Sequence, residues 1–218
     1  MFQKAIFPAQ LFRDAGVLAQ RKSMPRFSLL PGMLLFAAVL LFMGVAAAVY
    51  WPEPEVAFRS DQSSVSWLSS ALLLSISVLA IRQLADRGLP RWLAIWLGLA
   101  IFVLALDEQF MFHEQWKYGC MAWLAACRYA WVKEAPTLLV GIVGLLTAGV
   151  LHRALPPGLA RLVLWLALAT GILALKIDLL GGDAFLAIYE EGLEVLAEAF
   201  FAAVLLGLSG PADQVHSP

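Results

Sequence analysis

The chain has 218 residues, of which 61% are hydrophobic and only 14% are charged. Ordinary soluble domains contain roughly 45–50% apolar and about 25% charged residues, so this composition excludes a typical water-soluble globule. Fifteen basic and sixteen acidic residues give a formal net charge of −1, which excludes a nucleic acid as a partner and binding to anionic lipid by charge alone. We therefore predict a membrane protein.

Six stretches are predicted to cross the membrane as helices, each of which needs about 20 apolar residues. Residues 29–50, the stretch between Asp61 and Arg82, and a stretch with the core 137–151 meet this need directly. Three other uncharged runs hold only about 14 or 15 residues, roughly 21–23 Å of helix. They reach full length only with their acidic neighbours included, as 92–112, 162–180 and 184–208. Several carboxylates are therefore predicted to lie within the bilayer.

Lysine and arginine residues decide the orientation of such a bundle. They concentrate before the first helix and in the loops after the second and fourth, which places both termini in the cytoplasm. The predicted fold is an all-α, six-helix transmembrane bundle. Residues 1–28 form a basic segment that either lies on the inner leaflet or is an unstructured tail, 29–208 form the transmembrane domain, and 209–218 form a cytoplasmic tail.

Acidic residues concentrate in the outer half of this predicted bundle. On the sixth helix, 100° per residue places five acids in one stripe, namely Asp183, Glu190, Glu191, Glu194 and Glu198. Facing lipid, each ionised carboxylate would cost roughly 2.5–3.5 kcal/mol, so the stripe is predicted to face the interior. Because so many like charges cannot all stay ionised there, the stripe needs protons, a metal or other cation, or an ion pair. We expect Lys176 to pair with Glu190 or Glu191.

A divalent metal ion is the expected cofactor of this outer site. The expected ligands are His113, Glu190 and Glu194, and one imidazole with carboxylates suits zinc, manganese or iron. The expected catalytic residues, which would activate water against a membrane lipid or another amphipathic substrate, are Asp107, Glu108 and Glu191. A regular third helix would not gather on one face its cluster of polar residues, which are Asp107, Glu108, His113 and Glu114. Either that helix unwinds near its outer end, or its polar residues serve different neighbours.

Two further features, which indicate a function less strongly, are predicted at the same depth in the bundle as the acidic residues. Serines 63, 64, 66, 69 and 70 are expected to cap and pack the second helix rather than to carry chemistry. Cys120 and Cys127 share an outer loop, where an oxidising compartment would permit a disulfide. On one continuous helix their Cα atoms would lie about 10 Å apart, so a bridge requires a turn between them, and both states stay open.

Two runs carry a family resemblance, LDEQFMFHE at 106–114 and YEEGLEVLAE at 189–198. They resemble the paired acidic motifs DE-x4-HE and EE-x2-E of a family of uncharacterised bacterial multi-pass membrane proteins, which implies a bacterial inner membrane. The first run also resembles the middle helix of the alkaline ceramidase and adiponectin-receptor group of seven-helix zinc hydrolases. This sequence differs from that group in its six predicted spans and in lacking a late His-x3-His pair, which excludes a three-histidine zinc site.

Three functions follow from these features. The leading hypothesis is a metal-dependent hydrolase that processes lipid. The second is cation or proton translocation through the same acids, although the cytoplasmic halves of the third and sixth helices carry no ionisable group. The third is a non-catalytic subunit of a membrane complex, whose acids hold the basic helix of a protein partner within the membrane.

Overall fold

A computed structural model describes residues 25–58, 63–180 and 184–209. Most of these residues are helical, which confirms the predicted all-α class. The helices are α1 (Leu30–Val49), α2 (Ser64–Asp86), α3 (Arg91–Phe110), α4 (Phe112–Gly119), α5 (Ala130–Lys133), α6 (Ala135–Ala154), α7 (Leu159–Leu180) and α8 (Ala184–Gly207). The remaining regular elements are two-residue strands, β1 (Arg26–Phe27) and β2 (Leu208–Ser209), and 3-10 turns at Pro54–Ala57, Cys120–Ala122 and Ala125–Arg128.

Local signals in the sequence set the ends of the long helices. Ser63 caps α2, since its hydroxyl accepts the backbone N–H of Ser66 at 3.1 Å, as expected from the serine cluster. Proline occupies the first turn of α1 and of α6. A backbone N–H at this position has no acceptor within the helix, so its absence in proline breaks no helical hydrogen bond. At the other end of α2, Arg87 adopts a left-handed conformation with φ 54°. The helices therefore begin and end close to the predicted bounds.

The acidic helix α8 is the centre of the bundle and packs against α1, α2 and α7. Small side chains make this possible, because Ala199, Ala202 and Ala203 are buried on α8. Where α8 crosses α1, a Cβ added to Gly32 would lie 2.6 Å from the Cβ of Ala203. On the periphery, α3 packs mainly on α2, and α6 mainly on α7.

The chain enters and leaves the bundle at the same end, which we call the strand end. Here β1 pairs antiparallel with β2, with Arg26 opposite Ser209, and the backbone N–H of Ser28 donates to the carbonyl of Gly207 at 2.9 Å. The interior beside this end is filled by fully buried apolar side chains, among them Leu93, Leu151 and Leu205. The strand end is therefore a closed hydrophobic core.

The opposite end carries a folded segment, residues 111–134, which we call the cap. It contains α4, two 3-10 turns and α5, and a disulfide joins Cys120 to Cys127, whose Cα atoms lie 6.0 Å apart. The turn that this bridge requires lies between the two 3-10 segments. Trp116 Nε1 donates to the carbonyl of Val132 at 3.0 Å, so the cap has a small core of its own.

Five described helices are long and apolar enough to cross a bilayer: α1, α2, α3, α6 and residues Leu159–Ile177 of α7. Large apolar side chains lie exposed along them, as expected of a surface that faces lipid rather than water. The helix α8 has 24 residues but carries four glutamates, so composition alone does not mark it as a crossing helix. The structure therefore confirms a helical membrane bundle. The basic segment and tail predicted at the two termini lie mostly outside the described residues.

Candidate functional site

A cavity of about 260 Å³ opens at the cap end of the bundle. Its walls come from α2, α3, α6, α7 and α8, and the cap contributes residues at its outer side. We call it the acidic cavity, because seven carboxyl side chains line it. They are Asp107, Glu108, Glu114, Glu190, Glu191, Glu194 and Glu198.

The structure brings together six of the seven residues predicted for the site. All of the expected catalytic residues and all of the expected metal ligands line the acidic cavity: Asp107, Glu108, Glu191, His113, Glu190 and Glu194. The seventh, Lys176, lies exposed on α7 and outside the lining of the cavity. Its ion pair with Glu190 or Glu191 stays a prediction, as do the individual roles of the other six. Asp183, at the start of the predicted stripe, lies outside the described residues.

A break between α3 and α4 brings Asp107 and His113 into contact. Met111 adopts a left-handed conformation with φ 55°, which ends α3 at Phe110 and starts α4 at Phe112 in a new direction. Asp107 Oδ1 accepts the backbone N–H of His113 at 2.9 Å, and Asp107 Oδ2 lies 2.9 Å from the ring Nδ1. Of the two alternatives left open by the sequence, the unwinding of the helix is the one observed.

This contact sets the protonation of His113, which lies in the cap beyond the membrane-crossing helices. The hydrogen bond to Asp107 raises the pKa of His113 above its ordinary value, while partial burial opposes the shift. The negative charges of Asp107, Glu114 and Glu108 raise the pKa further. The imidazole is therefore held more readily as a cation beside the cavity than it would be in water.

Serines on α2 hold two of the carboxylates in place. Ser69 Oγ donates to Glu198 Oε1 at 2.7 Å, and Ser66 Oγ donates a longer bond to Glu108 Oε1 at 3.5 Å. The second oxygen of Glu198 is buried and makes no hydrogen bond within the described part of the chain. Since Glu198 also lines the cavity, this oxygen is an acceptor that lacks a donor.

Sequence reasoning assigned no site role to several residues of this cavity. Glu198 belonged to the predicted stripe, and Glu114 to the cluster on the third helix, yet neither was among the expected ligands or catalytic groups. The serines were expected only to cap and pack. Their spacing of three residues, Ser63, Ser66 and Ser69, places them along one face of α2, and this periodicity was the available signal. No pattern in the sequence indicates Lys117, because it reaches the cavity only through the fold of the cap.

The cavity changes from polar to apolar along the bundle. At the cap end, His113, Glu114 and Lys117 line it, and Lys117 Nζ lies 3.4 Å from Glu134 Oε1. Further toward the strand end the lining includes Leu73, Leu104, Val140 and Leu175. The site is therefore amphipathic, with most charged groups near the cap and an apolar surface deeper in the bundle. Glu198 is the carboxyl group that reaches this surface.

The described residues do not form a ready-made metal site. Within the ranges that the structure covers, no three His, Cys, Asp or Glu side chains are close enough to share one ion. His113, Glu190 and Glu194 are thus gathered around one cavity without forming a common coordination sphere. The metal ion expected from the sequence receives no support from this geometry and stays a prediction.

Composition and fold together define the class of this molecule, a helical membrane protein with an acidic cavity at one end. The chain belongs to the family described as "Domain of unknown function (DUF8692)", whose pattern matches residues 33–208. The match spans all six long helices from the first turn of α1 to the end of α8. Neither a curated protein nor a solved structure matches the chain.

Proposed function

We propose that the chain crosses a bacterial inner membrane six times, with α8 as the sixth crossing helix. The pairing of β1 with β2 supports this, because it places both strands at one end of the bundle, so the helices between them must cross an even number of times. The glutamates of α8 line a cavity between helices, where they avoid the cost of exposure to lipid. The disulfide supports an outward-facing cap, since such bonds persist in oxidising compartments.

For this protein we propose the binding of a cationic ligand that enters the acidic cavity from the outer side. The observation that carries the proposal is the lining of one 260 Å³ cavity by seven carboxyl groups. Among the described residues the lining contains two basic side chains, His113 and Lys117, against seven carboxyl groups, and Lys176, the partner expected from the sequence, lies outside it. A positively charged ligand would relieve the repulsion and the cost of burial together.

The spread of the carboxylates favours an organic cation. A metal ion binds best where several ligand atoms converge within about 2–2.6 Å of one point, and no three candidate side chains do so among the described residues. An ammonium group with its three donors can bond to carboxylates that lie further apart. Transport across the membrane is not favoured, because Leu93, Leu97 and Leu205 fill the bundle toward the strand end.

Hydrolysis is a second candidate function, and the contact between His113 and Asp107 favours it. A carboxylate that bonds one ring nitrogen fixes the tautomer and orientation of an imidazole, as general acid–base catalysis requires. In that case Glu108 and Glu191, which line the same cavity, would complete the catalytic group proposed from the sequence, with or without a divalent metal. A role as a subunit of a larger membrane complex is the third proposal.

Calorimetric titration of the full chain in lipid nanodiscs with butylamine, a small organic cation, tests the proposed function. We expect butylamine to bind the wild type and to bind at least tenfold more weakly after Glu194→Gln combined with Glu198→Gln. A matched control removes two carboxylates outside the cavity, Glu53→Gln with Glu55→Gln, and should retain the affinity of the wild type. Equal loss in both double variants, or no binding to the wild type, would refute the proposal.

Metal analysis of the same preparation separates the organic cation from a metal ion. If zinc, manganese or iron is present at one atom per chain after gentle purification, and leaves in His113→Ala, then the metal site expected from the sequence is correct. If metal stays at background while butylamine binds, the cavity is a site for organic cations.

A further inference from the structure

The acidic cavity is bounded on one side by α3 and α6, which make few direct contacts with each other within the described ranges, and we call the space between them the side opening. These two helices are linked toward the strand end, where Trp96 Nε1 donates to Thr147 Oγ1 at 3.0 Å. They are linked again at the cap end, where Lys117 of α4 pairs with Glu134 beside the start of α6. Between the two links, each helix packs mainly on a different neighbour, α3 on α2 and α6 on α7.

Apolar side chains stand at this opening. Leu104 and Val140 line the cavity from α3 and α6, about 10–12 Å along each helix from the Trp96–Thr147 bond. Val140 is also 43% exposed. The lining between the two helices is therefore apolar and accessible, and such a surface favours a hydrocarbon chain over water.

A second observation points to a ligand inside. Glu198 is the deepest carboxyl group of the stripe, and one of its oxygens is buried without a hydrogen bond among the described residues. Its other oxygen is occupied by Ser69, so the carboxylate is held in a fixed position. An N–H donor on a ligand would satisfy the second oxygen, because a buried acceptor left without a donor destabilises the site.

From these features we infer that the ligand is an amphipathic amine of the outer leaflet, which enters sideways between α3 and α6. Its ammonium group bonds to Glu194 and Glu198. Its hydrocarbon chain lies along Leu104 and Val140 and continues into the surrounding lipid. The inference rests on the proposed binding of a cation and adds to it the class of ligand and the route of entry.

The test compares two amines that share a head group and differ in chain length, dodecylamine and butylamine. Binding is measured by native mass spectrometry of the full chain. We expect dodecylamine to bind at least tenfold more tightly than butylamine. Val140→Trp, which fills the opening, should weaken the binding of dodecylamine at least fivefold more than it weakens the binding of butylamine. The matched control is Leu139→Trp, because Leu139 is 62% exposed on the same helix and does not line the cavity.

The outcomes separate this inference from the proposed function. If both amines bind with equal affinity and Val140→Trp changes neither, the cavity binds cations without an amphipathic preference, and the lateral route is wrong. If Leu139→Trp weakens dodecylamine as much as Val140→Trp does, the effect belongs to the membrane surface, and the route is again wrong. If neither amine binds the wild type, the proposed function itself fails. A melting temperature equal to that of the wild type shows that Val140→Trp is folded, and Leu104→Trp repeats the test from α3.

Discussion

Asp107 and His113 are joined by two hydrogen bonds of 2.9 Å, one to the backbone N–H and one to the ring Nδ1 of the histidine. Six residues apart on a continuous helix, they would point about 120° away from each other. Their contact therefore depends on the left-handed residue Met111, which breaks the helix between them. Asp107 therefore fixes the start of the cap through the backbone of His113. It also contacts the ring of His113, which is the one imidazole among the described residues that line the cavity.

We predict that this pair makes stability depend on pH. His113 faces Asp107, Glu108 and Glu114, and its pKa is raised in the folded state. Its stabilising contribution is therefore complete below the ordinary pKa of histidine, about 6.5. That contribution is lost as pH rises through the higher folded value. The difference in unfolding free energy between wild type and His113→Gln should shrink over that interval in denaturant titrations.

The matching variant is Asp107→Asn, which removes the charge and retains the shape. The ring resonances of His113, followed by NMR, should then titrate at a lower pH than in the wild type. An unchanged titration midpoint in Asp107→Asn would mean that the carboxylate does not hold the proton on His113.

We predict that Ser69→Ala destabilises the bundle more than a typical serine substitution. Ser69 is the hydrogen-bond donor to Glu198 at 2.7 Å, and its loss would leave a second oxygen of that buried carboxyl group unsatisfied. We expect a loss of about 1–3 kcal/mol in unfolding free energy. Ser75→Ala is the matched control on the same helix, because Ser75 Oγ bonds only to the carbonyl of Ala71 and should change stability by less than about 0.5 kcal/mol.

A double-mutant cycle shows whether the effect arises from Glu198. In the presence of Glu198→Gln, the loss caused by Ser69→Ala should be smaller, because contacting residues are not additive. Strict additivity would place the effect of Ser69 elsewhere in the packing of α2.

The long helices and the gathering of the acids were predictable from sequence, whereas the cap was not. Length and apolar content define a crossing helix, and the cost of facing lipid turns an acidic stripe inward. The break at Met111 has no such signal, since methionine rarely adopts positive φ and no glycine or proline marks the position. The bond from Ser69 to Glu198 joins residues 129 positions apart, so it depends on how α2 and α8 pack together.

We predict opposite effects for two glycines of α1. At Gly32, an added Cβ would lie 2.6 Å from Ala203 Cβ, whereas at Gly44 it would meet no atom within 4 Å. Gly44→Ala should leave stability unchanged or raise it by up to about 1 kcal/mol, because alanine favours the helix. Gly32→Ala should destabilise by about 1–3 kcal/mol, because α1 must move away from α8. Thermal unfolding of the two variants measures this difference, and equal melting temperatures would contradict the close contact between the helices.

We predict that the cap lies on the outer side of the membrane. After mild reduction, Cys120 and Cys127, which form the disulfide of the cap, should react in intact cells with a maleimide that cannot cross the membrane. The control is a chain with both cysteines changed to serine and Arg87→Cys added, because Arg87 follows α2 on the side of the strand end. That cysteine should react only after the cells are permeabilised. The reverse labelling pattern would show that the bundle is inverted and that the acidic cavity lies on the cytoplasmic side. The outer leaflet could then not be the source of its ligand.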